Sequence, residues 1–251
     1  DDQMVYASAN QGNKAGGFNA NALNDQQTRF EDETSYAFEL GYRSTWLGGA
    51  ALFNVSAFYS IFKDLQVSAF NGTEYVVTNA ADAISRGIEL EGALALSETL
   101  MLTMNYGYLD AYYDSFTTGP CVAGAEETPC DLTGKPLANA PQDSGNFSFF
   151  YDTPLFNWPV NFHLSADAFY QGDIFFQTDL DPLDTREAAV LYNARVGFHD
   201  PENLWSVILA VNNLTGDSAS VGSADVPVFE GAHFGGGGGG RVFYLEGRVR
   251  F

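Results

Sequence analysis

Basic residues are scarce in this sequence. Of its 251 residues only 11 are Lys or Arg, against 32 Asp and Glu, so the formal net charge is -21. Binding to nucleic acid requires clustered Lys and Arg that neutralise phosphates. The composition therefore argues against nucleic acid as a partner and disfavours anionic partners in general.

Long apolar runs and a leader sequence are also lacking. No stretch of 18 or more apolar residues occurs, so no transmembrane helix is predicted. Two acids, Asp1 and Asp2, open the sequence where a signal peptide would carry positive charge, so either a mature protein begins here or preceding sequence has been removed. No Pro/Ser-rich linker divides the chain, and residues 1–251 are expected to form one domain.

Only two cysteines are present, and both lie in one stretch rich in Pro and Gly. The short separation of Cys121 and Cys130 predicts a disulfide formed in an oxidising compartment, with two reduced thiols as the alternative. A zinc site would need further ligands, and none of the three histidines lies near in sequence.

Catalytic motifs are missing as well. His163 and Asp167 share one strand face, but they lie roughly 13 Å apart by strand rise, which is too far for direct proton transfer. No G-x-S-x-G or paired-His metal motif occurs. The six glycines at 235–240 precede no helix, so they favour flexibility or low complexity over a nucleotide-binding loop. We therefore predict no catalytic residues, no cofactor and no enzyme.

A cluster of acids offers the only hint of a cation site. Asp179, Asp181 and Asp184 could supply oxygen ligands to calcium. Pro182 lies among them and no glycine has the required spacing, so they match no recognised calcium loop. No metal site is predicted.

Aromatic residues and glycines are abundant, with 21 Phe, 13 Tyr, 3 Trp and 26 Gly. Apolar and polar residues alternate with period two in segments of about ten residues, the pattern of membrane β-barrel strands. Ten such strands are predicted at 3–10, 33–46, 50–69, 74–96, 100–113, 141–151, 159–171, 187–199, 204–212 and 240–251. Charged residues on the polar face include Glu39, Glu89, Glu91, Arg195, Glu246, Arg248 and Arg250.

Connection lengths distinguish a barrel from a soluble sandwich, which also alternates. Short connections at 47–49, 97–99, 152–158 and 200–203 alternate with long ones at 11–32, 114–140, 172–186 and 213–239, and the brief turn at 70–73 is the exception. In an antiparallel meander every second connection lies at the same end. Outer-membrane barrels have short periplasmic turns and long external loops. Two alternatives stay open: a ten-stranded barrel protease of the omptin type and a secreted, glycan-binding β-sandwich.

Several motifs resemble the barrel domain of TonB-dependent outer-membrane receptors, in that family's order. They are Val5-Tyr6-Ala7-Ser8 with residues 14–19, residues 33–43, residues 79–91 with Arg86-Gly87-Ile88-Glu89-Leu90-Glu91, Tyr108-Leu109-Asp110-Ala111, Asn139-Ala140-Pro141, Val211-Asn212-Asn213-Leu214-Thr215 and residues 241–251.

This resemblance implies an all-β fold, an antiparallel up-and-down transmembrane β-barrel. About ten C-terminal strands of a larger barrel of about 22 strands would be present, and the family's plug domain and first half of the barrel are absent. It also implies a receptor in the bacterial outer membrane that imports a scarce nutrient such as an iron-siderophore. Its partners would be outer-membrane lipid, the nutrient ligand, the TonB complex acting through the plug, and the barrel assembly machinery.

Residues for two of these contacts can be suggested. The assembly machinery would recognise the C-terminal strand that ends at the aromatic Phe251. Ligand contacts are expected in the long loops, where aromatic and polar side chains occur. The candidates are Phe18, Asn19, Phe175, Phe176, Asp179 and Phe234.

Overall fold

One antiparallel meander of ten long strands dominates the structure, a computed structural model that describes residues 2–20, 28–70, 75–126, 128–226, 228–229 and 231–251. Each strand pairs with the next strand of the meander. These strands are β1 (Gln3–Lys14), β4 (Glu33–Trp46), β5 (Ala51–Phe70), β6 (Tyr75–Ser97), β7 (Leu100–Ser115), β8 (Asp143–Pro154), β9 (Asn161–Gln171), β12 (Ala189–His199), β13 (Trp205–Asn212) and β16 (Val242–Val249). All ten predicted strands are confirmed in order, with ends displaced by a few residues.

Six short strands form three hairpins in the long connections, and the sequence did not predict them. They are β2 (Gly17–Phe18) with β3 (Arg29–Phe30), β10 (Ile174–Phe175) with β11 (Thr185–Arg186), and β14 (Ser220–Asp225) with β15 (His233–Gly237). A 3-10 turn at Leu47–Gly49 connects β4 to β5. No helix in the described ranges has the length and apolarity needed to cross a membrane.

The register of the strands gives the sheet one apolar and one polar face. One row across eight strands is mostly aromatic or aliphatic: Val5, Tyr42, Val55, Leu90, Tyr106, Gly145, Tyr170 and Val190. The adjacent row points to the other side and is polar or small: Tyr6, Gly41, Ser56, Glu89, Gly107, Ser144 and Gln171. Because side chains alternate along every strand, this register keeps the two faces separate.

The apolar face is not packed into a closed interior. Many of its large side chains remain exposed, including Leu40, Phe53, Phe147, Leu209 and Leu245. Such a large apolar surface is rare on a soluble protein and marks contact with another phase or partner. Along the edges, β1 and β16 each have one neighbour in this sheet and do not pair with each other.

Connections of different length lie at opposite ends of the sheet, called here the short-loop end and the long-loop end. The short connection between β5 and β6 also belongs to the long-loop end, and the length of these two strands explains why it is short. Strands β5 and β6 are 20 and 23 residues long, roughly twice the 9–11 residues that a transmembrane strand needs. The hairpin projects as paired strands, and residues 71–74 lie outside the described ranges.

The glycine tract is partly ordered, contrary to the expectation of flexibility. Gly235, Gly236 and Gly237 belong to β15 and pair with β14, and the Gly238 amide donates to the Ala219 carbonyl at 2.9 Å. A Cβ atom at position 238 would lie 2.6 Å from that carbonyl oxygen. Only glycine permits this close approach of two backbone segments.

The described residues contain a small apolar core, and it lies at the long-loop end. Its buried members are Val67, Ala81, Ala83, Tyr113, Phe116 and Leu132. The rings of Tyr113 and Phe116 are 4.9 Å apart, and the Phe116 carbonyl accepts a hydrogen bond from the Leu132 amide at 2.8 Å. The core fastens the 116–142 loop to the ends of β5, β6 and β7.

Replacing Phe116, which is 1% exposed, should release this loop without unfolding the sheet. We expect Phe116→Ala to destabilise the loop by about 3–5 kcal/mol, the usual loss for a buried aromatic. Limited proteolysis should then cut within 116–142, while heat-dependent gel migration stays that of the folded parent protein. Phe156→Ala, at an exposed position in a short turn, is the control. Loss of heat-dependent migration in Phe116→Ala would show that this core supports the sheet itself.

Candidate functional site

The polar face is concave and carries several acids. A concavity of about 690 Å³ lies against β1 and β4 to β9. Glu39, Glu89 and Glu91 line it together with Arg43 and Asn105. This is the face that a barrel turns toward its aqueous interior.

Side chains across this wall bond to one another. The Tyr6 hydroxyl donates to Glu39, and the Arg43 guanidinium lies 5.1 Å from the centre of the Tyr6 ring. The Asn54 amide donates to Glu91 at 2.8 Å. These contacts keep charged groups oriented in a solvated surface.

The other polar-face charges suggested by the sequence lie toward the C-terminal strands. Arg195 is 3.7 Å from Asp167, and Arg248 is 3.5 Å from Glu246, with both partners exposed. Arg250 lies beyond the last strand, where its backbone amide donates to the Leu204 carbonyl. Exposed ion pairs of this kind contribute little to stability.

At the long-loop end the described parts of the connections join into a single layer, named here the loop layer (15–20, 28–32, 64–70, 75–82, 116–126, 128–142, 172–188, 213–226, 228–229 and 231–241). The Asn79 side-chain amide donates to the backbone carbonyls of Glu31 and Asp64 at 2.9 and 2.8 Å. The Gln177 side chain accepts from the Tyr75 hydroxyl at 3.1 Å and donates to the Ser223 carbonyl at 2.8 Å. These bonds connect loops that are far apart in sequence.

Motif residues lie where the loops meet the sheet. Glu33 is buried, and its side chain accepts a hydrogen bond from the Gln66 backbone amide at 2.9 Å. Asn213 has a positive φ of 53° and donates to the Asp217 and Gly239 carbonyls. With Asn79, these residues satisfy backbone groups at loop bases. Part of the motif pattern found in the sequence therefore serves to hold the loops on the sheet rather than to recognise a ligand.

The six candidate ligand contacts are spread across the loop layer. Phe18 and Phe234 are 75% and 60% exposed, and Phe175 and Phe176 are half-buried. The carbonyls of Phe175 and Phe176 accept hydrogen bonds from Asn139. The exposed rings of Phe18 and Phe234 offer more surface to a ligand than the half-buried pair does.

Asn19 connects the first loop to β6. Its side-chain amide donates to the Val77 carbonyl at 2.8 Å, and its side-chain oxygen accepts from the Val77 amide at 3.0 Å. This pair of bonds imitates a backbone pairing and holds the loop in place, which gives Asn19 a structural role.

A cleft of about 700 Å³ opens beside the disulfide loop. Cys121 and Cys130 are bonded, with an S–S distance of 2.05 Å. Cys121, Val122 and Pro129 line the cleft on that side, and Val226, Val228 and Phe229 line the other. Asp179 and Asp225 add carboxylates to this apolar lining. Burial raises the pKa of Asp179, although a hydrogen bond from the Asp181 amide opposes the shift.

A group of ionisable side chains beside this cleft was identified only in part from the sequence, which pointed to Asp181 and Asp184 but not to Asp225 or His233. Asp181, Asp184, Asp225 and His233 converge in the loop layer. Burial raises the pKa of Asp225, as does the charge of Asp184. Burial lowers the pKa of His233, but the hydrogen bond from His233 to Asp184 and the charges of the three acids together raise it above its usual value.

At the short-loop end, His163 does not pair with Asp167. Its Nδ1 atom lies 3.4 Å from Asp152 and its Nε2 atom 3.2 Å from the Ser165 hydroxyl. This resembles a catalytic triad in outline only. Ser165 is buried, and β9 is paired on both sides, so no pair of backbone amides is free there to stabilise an oxyanion.

A two-faced antiparallel meander with its long loops at one end defines the wall of an outer-membrane β-barrel. The family described as "TonB dependent receptor-like, beta-barrel" matches residues 1–214. The chain therefore belongs to the TonB-dependent receptor β-barrel family. Barrels of this family lie in the outer membrane of Gram-negative bacteria and are transporters rather than enzymes. An omptin-type protease and a secreted sandwich are thereby excluded.

Solved structures show the same fold. The ferric yersiniabactin uptake receptor FyuA from Yersinia pestis is 18% identical, with a TM-score of 0.80, and the match covers 100% of this chain and 35% of that one. The siderophore receptor PiuA from Acinetobacter baumannii is 16% identical, with a TM-score of 0.68 and coverage of 97% and 33%. The copper transporter OprC is 11% identical, with a TM-score of 0.72 and coverage of 99% and 37%. The chain thus spans about a third of each of these proteins.

The structural role of Asn19 can be tested. Asn19→Ala should speed hydrogen exchange at the Val77 amide by roughly fivefold, because one hydrogen bond contributes about 1 kcal/mol. Mass-spectrometric hydrogen exchange on the detergent-purified protein measures this directly. Asn10→Ala, an exposed asparagine of β1, should leave Val77 unchanged. Equal exchange in the two variants would contradict the anchoring role.

Proposed function

We propose that this chain forms part of the wall and the external loops of an outer-membrane receptor for a scarce nutrient of the iron-siderophore kind. Uptake is driven by the TonB complex through a plug that other sequence supplies. The observation that carries the proposal is the two-faced sheet whose loop layer lies at one end only. A ligand meeting the loop layer from outside would pass into the space that the polar face lines.

The length of the apolar band supports a position in the membrane. On β6 it runs through residues 88–96, close to the 9–11 residues of a tilted transmembrane strand. Arg86 ends the band toward the long-loop end, where it bonds to Asp110 at 2.8 Å and lies near the Tyr112 ring. Charged and aromatic side chains suit the boundary between hydrocarbon and water.

The open edges fit a wall that further strands complete. In hydrocarbon every backbone N–H and C=O group needs a partner, so β1 and β16 each require a second neighbour. We propose that residues 1–251 belong to one barrel domain with such strands. Phe251, exposed beyond β16, stays a proposed contact for the assembly machinery.

Charge narrows the class of ligand. The net charge is -21, and Glu39, Glu89 and Glu91 face the concavity with Arg43. Such a surface attracts cations and repels anions over several ångströms. We therefore propose a neutral or cationic metal chelate as the ligand.

The orientation of the wall gives a direct test. Met104 and Asn105 are neighbours on opposite faces of β7. Met104→Arg places a charge in hydrocarbon and should cost about 2–4 kcal/mol, whereas Asn105→Arg stays in water and should cost about 1 kcal/mol or less. Urea unfolding in lipid vesicles measures both. A larger cost for Asn105→Arg would reverse the assignment of the faces.

Transport is tested in cells with and without the gene. Radiolabelled ferric chelates that are cationic, neutral or anionic should enter only cells that carry the gene, in the order cationic or neutral above anionic. Uptake should stop when TonB is deleted. Gene-dependent uptake that persists without TonB, or the absence of gene-dependent uptake of any chelate, would refute the proposal.

A further inference from the structure

Two separate elements of the loop layer bring four ionisable side chains together. Asp181 and Asp184 are the ends of a turn in which the Asp184 amide donates to the Asp181 carbonyl at 3.0 Å, with Pro182 at the position that favours such a turn. Asp225 and His233 are paired across the β14–β15 hairpin.

Three of these groups surround one point. His233 Nδ1 lies 3.1 Å from Asp184 Oδ2 and 3.7 Å from Asp225 Oδ1. One ligand atom from each residue lies within 4.8 Å of the others. Ligands on opposite sides of a metal ion at about 2.1 Å are about 4.2 Å apart, so small side-chain movements suffice.

One buried carboxylate oxygen in this cluster lacks a hydrogen-bond partner among the described residues. Asp184 is 0% exposed, and its Oδ1 atom has no hydrogen-bond partner among the described residues. A buried carboxylate oxygen without a partner is costly, and native structures avoid it unless water or an ion completes the site.

The surrounding charge is not balanced by the protein. Three carboxylates face a single imidazole, and no Lys or Arg in the described part of the chain forms an ion pair with them. Arg186 is close in sequence, but its Nε and Nη2 atoms are themselves buried without partners. A divalent cation would compensate the excess negative charge.

The second imidazole nitrogen is placed as metal sites require. His233 Nε2 lies 3.7 Å from Asp181 Oδ2 and has no hydrogen-bond partner in the described residues. Asp181 Oδ1 is held by the Leu183 amide at 2.7 Å. Metal-binding histidines commonly donate their other N–H to a carboxylate that orients the ring. Asp181 is suited to be that positioning residue.

We propose that Asp184, Asp225 and His233 bind one divalent transition-metal ion of the zinc or manganese class, which joins the 172–188 loop to the β14–β15 hairpin. An imidazole nitrogen among the ligands favours these ions over calcium and magnesium, which prefer oxygen alone. The ion is a resident component of the loop layer and is independent of the nutrient that the receptor carries.

Binding is tested on the whole protein purified in detergent and stripped with a chelator. Calorimetric titration with Zn²⁺ and metal analysis after gel filtration should give one retained ion per chain, with Ca²⁺ at least tenfold weaker. Asp184→Asn and His233→Ala should each remove the retained ion. Asp217→Asn makes the same charge change at an exposed position of the 213–241 loop and should bind like the parent.

Further measurements distinguish a resident ion from a transported nutrient, and loss of binding from misfolding. Zn²⁺ should slow proteolysis within 213–241 severalfold in the parent and not in Asp225→Asn, and the ion should also be retained by protein from cells without TonB. Heat-dependent gel migration verifies that each variant is folded. No retained Zn²⁺ in the parent, or retention unchanged in the folded Asp184→Asn and His233→Ala variants, would overturn the proposal.

Discussion

The backbone hydrogen-bond ladder of the ten-stranded sheet is the constraint on which the rest of the structure depends. Hydrocarbon offers no water to an N–H or C=O group, so a chain that crosses it as strands must pair them continuously. The meander achieves this with neighbouring segments, and antiparallel pairing needs only short connections. Once the strands are paired, each side chain points to one of the two faces of the sheet.

The two faces explain the unusual distribution of buried and exposed side chains. A soluble protein of this length would collect its apolar side chains inside, whereas this chain leaves Leu40, Leu209 and Leu245 exposed on one face. Its described buried cluster lies in the loop layer instead, around Phe116 and Leu132. Stability of the sheet therefore depends on strand pairing, whereas stability of the loops depends on packing.

The loop layer follows different rules because water can satisfy its backbone. Its order comes from side chains that bond distant backbone groups, such as Asn19 to Val77 and Gln177 to Ser223, and from the disulfide. These contacts hold aromatic and acidic groups at the long-loop end of the sheet. A rigid layer of this kind reduces the entropy lost when a ligand binds.

Local pattern accounts for what could be predicted of the fold. Alternation along a strand is a property of ten or so neighbouring residues, so all ten long strands and the two faces followed from it. The two-residue strands β2, β3, β10 and β11 were not predicted, because they are too short to show the alternation of apolar and polar residues. The glycines of β15 carry no side chain that could show alternation. Their pairing with Ser220, Gly222 and Ser223 was therefore not predicted, and the glycine tract was interpreted as flexible.

The class of the protein, the sheet, its two faces and the end at which the long loops lie were all predictable from the order of the amino acids. Contacts between residues of different loops, in contrast, become visible only in the folded chain. Asp184 and His233 are 49 positions apart, and their approach depends on how two loops pack over the end of the sheet. Such packing combines many weak contacts between distant segments, and no local period records it. For this reason Asp179, named with Asp181 and Asp184 as a possible cation ligand, lines the cleft, while His233 completes the cluster.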